Sequence, residues 1–144
     1  MGGPKVRRLI VDVRLNGGGD NTTYGPLVDV LAAKKVNRRG RLYLLTGRAT
    51  FSAAANFAAE IDRYTHALVV GEPTGGGVET YGDTFPVPLP TAGWTVHVAA
   101  RYHERKKSPG DRRLAVEPDV RVELTSAQYF AGLDPVLARA LRGL

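Results

Sequence analysis

The chain has 144 residues, of which 43% are hydrophobic and 24% charged, and its Lys and Arg residues outnumber Asp and Glu by 20 to 14. This length and apolar fraction indicate one globular domain rather than a disordered segment, and no apolar stretch approaches the roughly 18 residues of a membrane-spanning helix. The absence of Cys excludes a disulfide framework, a thiolate nucleophile and a cysteine metal site.

Short apolar runs alternate with helical patterns along the first half of the chain. Three β-branched or leucine-rich runs predict buried strands, and two segments with apolar residues at helical spacing predict helices. The predicted strands are 9–13, 42–45 and 67–70, and the predicted helices are 26–37 and 52–63. This alternation predicts an α/β domain with a mainly parallel sheet flanked by helices.

The second half of the chain has a different pattern. A loop at 72–77 precedes two alternating segments on either side of Thr91-Ala92-Gly93, which predict a β-hairpin over 84–102. A last strand is expected at 120–124, and a helix over 134–141 with Asp134 as its N-cap. An open edge of such a sheet would favour a homo-oligomer.

The positive charge lies in short clusters near predicted loops and helix ends. Interleaved aromatics and RNA- or DNA-binding motifs are absent from these clusters, so we interpret them as solvated edges and not as a nucleic-acid site. The three His residues lack the i,i+4 spacing of a zinc helix, so no metal or cofactor is expected.

Two segments follow predicted strands and could carry chemistry. Gly17, Gly18 and Gly19 lack the spacing of a dinucleotide or P-loop motif, but their backbone N–H groups can approach a ligand closely. Ser52 begins the Ala-rich helix, where the helix dipole and the Ala53 N–H would stabilise an oxyanion beside it. The alternative for Ser52 is an ordinary N-cap, a role that Thr50 could share.

Five motifs in this order resemble the catalytic core of the tail-specific, or C-terminal processing, serine protease family. Relatives of that family include the tricorn core and retinoid-binding repeats. The motifs are Leu9–Gly19, Gly47–Ala54 with Phe57, Ala67–Gly76, Glu117–Val120, and Tyr129 with Gly132–Leu137.

The resemblance implies a Clp-protease/crotonase-like spiral fold and a serine peptidase that acts on polypeptides. It assigns Ser52 as the nucleophile and the N–H groups of Ala53 and of the Gly17-Gly18 turn as the oxyanion donors. It also implies that residues 6–144 are the C-terminal part of a catalytic domain whose upstream segments are partners of this chain. Residues 1–5 then represent an artificial start or an internal cut, and the absence of a signal there indicates no particular compartment.

The chain departs from the Lys-dependent branch of the family, because Gly77 occupies the position of the Lys general base. His66, His97, His103 and Asp111 are each interpreted as surface or edge groups, so we expect none of them beside Ser52. The base would then come from a segment outside this chain. The alternative function is a non-catalytic ligand-binding module or an inactive fragment of the same fold.

Overall fold

A computed structural model describes residues 6–33 and 35–143, so the expected start at residues 1–5 and Lys34 lie outside it. Strands and helices alternate through the first half, and the hairpin follows. The elements are β1 Leu9–Asp12, α1 Gly25–Ala32, β2 Leu42–Thr46, α2 Ser52–Tyr64, β3 Leu68–Gly71, β4 Glu79–Leu89, β5 Trp94–Glu104, β6 Val120–Arg121, α3 Ser126–Phe130 and α4 Pro135–Arg142.

Four strands form a parallel sheet in the order β1-β2-β3-β6. Since all four run in the same direction, the carboxyl ends of β1, β2 and β3 meet at one edge of the sheet. The glycine loop leaves β1 at this edge, and the turn that leads into α2 leaves β2 there. Open α/β sheets build their ligand sites at such an edge.

Both faces of the sheet are covered, which explains why β2 is apolar at every position but its last. Leu42 and Leu44 pack into a core with α1 and α2, whereas Tyr43 and Leu45 pack into a second core with α4. The predicted α/β fold with a parallel sheet flanked by helices is therefore confirmed.

The hairpin of β4 and β5 is a separate two-stranded sheet, and it extends beyond the predicted 84–102 at its base. Its base is joined to the domain through Arg105, whose N–H donates to the Val78 carbonyl at 2.7 Å. The Arg105 guanidinium also lies 3.0 Å from the Glu60 carboxylate of α2.

Apart from one-residue differences at element ends, the structure differs from the predicted elements in three further places. Helix α1 ends at Ala32, and the last strand contains only Val120 and Arg121. Helix α3 was not predicted, although Thr125 and Gln128 form a capping box at its start. Asp134 is confirmed as an N-cap, since it accepts a hydrogen bond from the Leu137 N–H at 2.8 Å.

Candidate active site

Ser52 lies at the start of α2 and has a positive φ, which is rare for residues other than glycine. Its φ is +50°, and its residue surface is exposed. The N-cap of α2 is Phe51, and no side chain caps the helix. The N-cap interpretation of Ser52 is therefore wrong. A non-glycine residue with positive φ costs about 1–3 kcal/mol and persists where the surroundings impose it, often at functional sites.

The turn before Ser52 is fastened to the end of β1. The Thr50 hydroxyl donates to the Val13 carbonyl at 2.8 Å and accepts the Gly47 N–H at 3.1 Å. The Phe51 N–H donates to the Asn16 carbonyl at 3.1 Å. Thr50 therefore does not share in capping α2 but holds its first residue against the glycine loop.

Gly18 packs directly on Ser52. Its φ is +124°, and a Cβ added there would lie 2.6 Å from the Ser52 Cβ and 3.1 Å from the Ser52 Oγ. Only glycine fits a position that combines this conformation with so close an approach. The fold thus brings the glycine loop and the serine, both singled out in the sequence, into contact.

Three backbone N–H groups lie in or beside this contact. The Gly18 N–H donates to the Asn16 side-chain oxygen at 3.0 Å. Within residues 6–33 and 35–143, the N–H groups of Gly17 and Ala53 donate to no other group. Ala53 is the second residue of α2, where an N–H has no acceptor within the helix. Both donors are therefore unused within the described ranges.

A cleft of about 390 Å³ lies between the glycine loop, α1 and α2. Gly18 and Ala53, which flank Ser52, both line it. Its walls combine aliphatic and aromatic side chains with a polar rim. The other lining residues are Val11, Asp12, Val13, Asn16, Gly19, Asp20, Thr23, Tyr24, Leu27, Ala54 and Phe57.

Arg14 links the glycine loop to α4, a connection that the sequence did not predict. Its guanidinium donates to both carboxylate oxygens of Asp134, at 2.7 and 2.8 Å, and to Asp12 at 3.0 Å. Hydrogen bonding to Arg14 holds the pKa of Asp12 and of Asp134 below the usual value for aspartate. No short-range pattern could signal this contact, because Arg14 and Asp134 are 120 residues apart.

The Ser52 hydroxyl forms no hydrogen bond with any residue that the structure describes. At Gly77, a Cβ would lie 2.7 Å from the Glu79 carbonyl oxygen and 2.8 Å from that of Leu114. A lysine could not occupy this position unless the backbone moved. The local packing at Gly77 therefore leaves no space for a longer side chain.

The other titratable candidates belong to different contacts. His66 and His97 are exposed, and the buried His103 lies 3.3 Å from the Asp83 carboxylate in the hairpin. Asp111 accepts hydrogen bonds from Arg113, which also binds Asp62 near the far end of α2. That end is about 15 Å along the helix from Ser52.

The described ranges contain no cluster of three or more His, Asp or Glu side chains arranged to hold a metal ion. None of the helices found there combines the length and apolar character of a bilayer-spanning helix.

A family model described as Peptidase family S41 matches residues 21–122 of the chain. This match contains the start of α2 and both strands of the hairpin. No curated protein matches the chain significantly.

Several solved structures share the fold. A candidate peptidase from Parabacteroides merdae has a TM-score of 0.70 and 22% identity, over 94% of this chain and 51% of that one. A candidate S41 protease from Bacteroides fragilis has a TM-score of 0.63 and 16% identity, over 94% and 44%. The tricorn protease has a TM-score of 0.62 and 23% identity, over 94% and 14%. The chain therefore spans about half the length of the first of these proteins, and less of the others.

Proposed function

Because the chain belongs to peptidase family S41, as its motifs predicted, we propose that it forms part of a serine endopeptidase that cleaves polypeptides through Ser52. The observation that carries this proposal is the strained, exposed Ser52 held against Gly18. Strain of this kind is retained where a side chain must be presented in one orientation. A serine that served only as a helix cap would not need it.

In the proposed reaction, the Ser52 Oγ attacks the carbonyl carbon of the scissile peptide bond while its proton passes to a general base. The negative charge that develops on the carbonyl oxygen is stabilised by the N–H groups of Ala53 and of the Gly17-Gly18 turn. The intermediate then expels the amine, which takes the proton from the base, and leaves an acyl group on Ser52. Water, deprotonated by the same base, hydrolyses that ester and restores the hydroxyl.

The role of oxyanion donor falls most directly on Gly17 and Ala53. Their N–H groups have no partner among the described residues, whereas the Gly18 N–H is bonded to Asn16. The dipole of α2, whose positive end lies at Ser52, would add to their effect. Gly18 contributes by allowing the loop to approach Ser52 closely.

We assign the general base to a segment of the parent polypeptide outside this sequence. The close packing around Gly77, and the contacts of His103 and Asp111 with other residues, support this assignment. A serine hydroxyl without a neighbouring base is a poor nucleophile. The chain alone should therefore react far more slowly than the parent protein.

The cleft beside Ser52 supports a substrate with an apolar side chain next to the scissile bond. Val13, Ala54 and Phe57 are buried residues of its wall, and Val11 and Leu27 add further apolar surface. A pocket with this lining favours an aliphatic or aromatic group over a charged one.

A fluorophosphonate probe, which labels activated serines, tests the role of Ser52. We expect the parent polypeptide to be labelled, and both Ser52→Ala and the isolated 144-residue chain to be labelled at least about 100-fold more slowly. Ser126→Ala is the matched control, because Ser126 is also an exposed serine at the first position of a helix. Equal labelling of the parent and its Ser52→Ala variant would exclude Ser52 as the nucleophile.

The second candidate function is a non-catalytic binding module. It is favoured by the apolar cleft and by the close packing at Gly77, which leaves no space for the side chain of a base. It makes the opposite prediction for the same experiment. The parent polypeptide would then take up no probe at any serine, but it would bind an apolar fluorescent ligand in proportion to its concentration.

A further inference from the structure

The hairpin carries an exposed apolar face that the rest of the domain does not cover. Side chains alternate between the two faces of a strand, so cross-strand pairs two positions apart share a face. Four apolar pairs follow one another on this face, which we call the hairpin face. They are Tyr81 with Tyr102, Phe85 with Val98, Val87 with Val96, and Leu89 with Trp94.

Asp83 lies between Tyr81 and Phe85, so regular alternation of side chains along β4 would place its charge on the hairpin face. Its φ is +50°, however, and its carboxylate lies 3.3 Å from the His103 ring and 3.4 Å from the Arg101 guanidinium. Both partners belong to the opposite face by their register. The unusual backbone conformation thus turns the charge away and leaves the hairpin face apolar between Tyr81 and Phe85.

The exposed area is of the size that protein interfaces bury. Seven of the eight side chains on the hairpin face are 40% to 72% exposed. Since a large aromatic side chain alone can bury about 150–250 Å², these seven present on the order of 800 Å², which is the contribution of one partner to a standard interface. A single apolar patch of this size is larger than monomeric proteins usually leave in water.

The distribution of charge along the hairpin face indicates the occupant. Glu79 and Glu104 lie at its base beside Lys106, whose ammonium group is 2.7 Å from Glu79 and 4.0 Å from Glu104, whereas the turn at its tip, 90–93, carries no charge. The two carboxylates outnumber this one ammonium group, and the net negative charge of the three groups disfavours an anionic lipid surface or a nucleic acid. A second hairpin packed in the opposite direction would lay its uncharged tip over them and its apolar pairs over apolar pairs.

We propose that the hairpin face is the interface of a two-fold symmetric dimer, in which the hairpins of two copies of this chain pack face to face and antiparallel. The parallel arrangement would bring four carboxylates together with only two ammonium groups and is disfavoured. The two-fold axis passes through the middle of the face, close to the pair of Phe85 and Val98. Phe85 and Val98 therefore lie near their own symmetry copies, and the neighbouring pair of Val87 and Val96 lies inside the apolar centre of the interface.

Sedimentation of the 144-residue chain tests this interface. We expect wild type at micromolar concentrations to have twice the 15.5 kDa mass of one chain. Val96→Lys places one ammonium group on each side of the axis, inside the apolar centre of the interface, and should weaken dimerisation at least about 100-fold. Thr95→Lys is the matched control, because Thr95 is the neighbouring exposed β-branched residue on the opposite face, and it should remain dimeric.

The single Trp of the chain, Trp94, provides a second measurement. It is 72% exposed on the hairpin face of one copy. Its fluorescence should therefore shift to shorter wavelength as the protein concentration rises, in wild type and Thr95→Lys but not in Val96→Lys. Circular dichroism of all three proteins shows whether they fold alike. A wild-type mass other than twice that of the chain, or a dimer that persists in a folded Val96→Lys, would overturn the proposal.

Discussion

At the scale of single residues, Ser52 and Gly18 depend on each other. Ser52 keeps a positive φ because Thr50 and Phe51 fasten the preceding turn to the end of β1. The same hydrogen bonds hold Ser52 against Gly18. A side chain at Gly18 would overlap Ser52. The geometry of the proposed nucleophile is thus imposed by its neighbours, as expected for local strain at a functional site.

Gly18→Ala tests this dependence. The added methyl group meets Ser52, and the φ of +124° disfavours any side chain. We expect a loss of about 2 kcal/mol in the free energy of unfolding, and fluorophosphonate labelling of the parent polypeptide slowed about 100-fold. Urea denaturation and labelling kinetics measure the two effects.

Gly17→Ala is the control for this substitution. Nothing lies within 4 Å of a Cβ added at Gly17, and its N–H group is retained. The change in stability should stay within about 0.5 kcal/mol. If both alanine variants behaved alike, close packing at Gly18 would not be what positions Ser52.

At the scale of elements, helix α2 is held at both ends. Its first turn is fixed by the glycine loop, and Asp62 near its last turn binds Lys107 at 2.7 Å and Arg113 at 2.8 Å. Arg113 also binds Asp111 at 2.7 Å, which ties the loop after the hairpin to α2. Asp111 is therefore a structural residue of this loop.

Asp111→Asn should make this attachment weaker and change how stability depends on pH. Hydrogen bonding to Arg113 holds the pKa of Asp111 well below its usual value of 3.8. A carboxyl with a lowered pKa stabilises the fold above its unfolded pKa, and this contribution is lost as the pH falls further. We expect Tm to fall by about 5 °C at pH 7 in the variant, and the difference from wild type to stay the same down to the unfolded pKa of about 4 and to narrow only below it, toward pH 2.

Thermal melts across this pH range give the measurement, and Asp29→Asn gives the control. Asp29 is an exposed carboxylate of α1 that forms no ion pair within the described ranges. Its replacement removes the same charge and should leave Tm almost unchanged. A difference between Asp111→Asn and wild type that stayed constant down to pH 2 would contradict the role of the Asp111 carboxylate.

At the scale of the whole molecule, one sheet supports both apolar layers. Leu44 is fully buried on the side of α1 and α2, and Leu45 is fully buried on the side of α4. The site lies at the edge where these layers end. Loss of packing in either layer should therefore destabilise the whole domain.

Leu44→Ala tests this coupling. Removing a fully buried leucine side chain should cost about 3 kcal/mol. Urea denaturation followed by circular dichroism should give one cooperative transition at a lower midpoint. Leu114→Ala removes the same atoms from a side chain that is 89% exposed and should change stability by less than about 0.5 kcal/mol.

Much of the fold could be predicted from the sequence because its patterns are local. Apolar runs identified all three strands of the first half, and Pro135 after Asp134 marked the start of α4. The short α3 was missed because its capping box precedes only five helical residues. The sequence singled out the proposed nucleophile Ser52 and the glycine loop because each lies in the segment that follows an apolar strand.

The sequence by itself determined which segments form strands and helices, and which small or polar residues follow the strands, since periodicity and capping act over a few residues. Only the tertiary structure decided that Gly18 touches Ser52, that Arg14 binds Asp134, and that Arg113, which binds Asp111, also binds Asp62 of α2. These contacts join distant parts of the chain, so they depend on the order of the parallel strands. The exposure of the hairpin face was decided in the same way, because an alternating pattern specifies an apolar face but not what covers it.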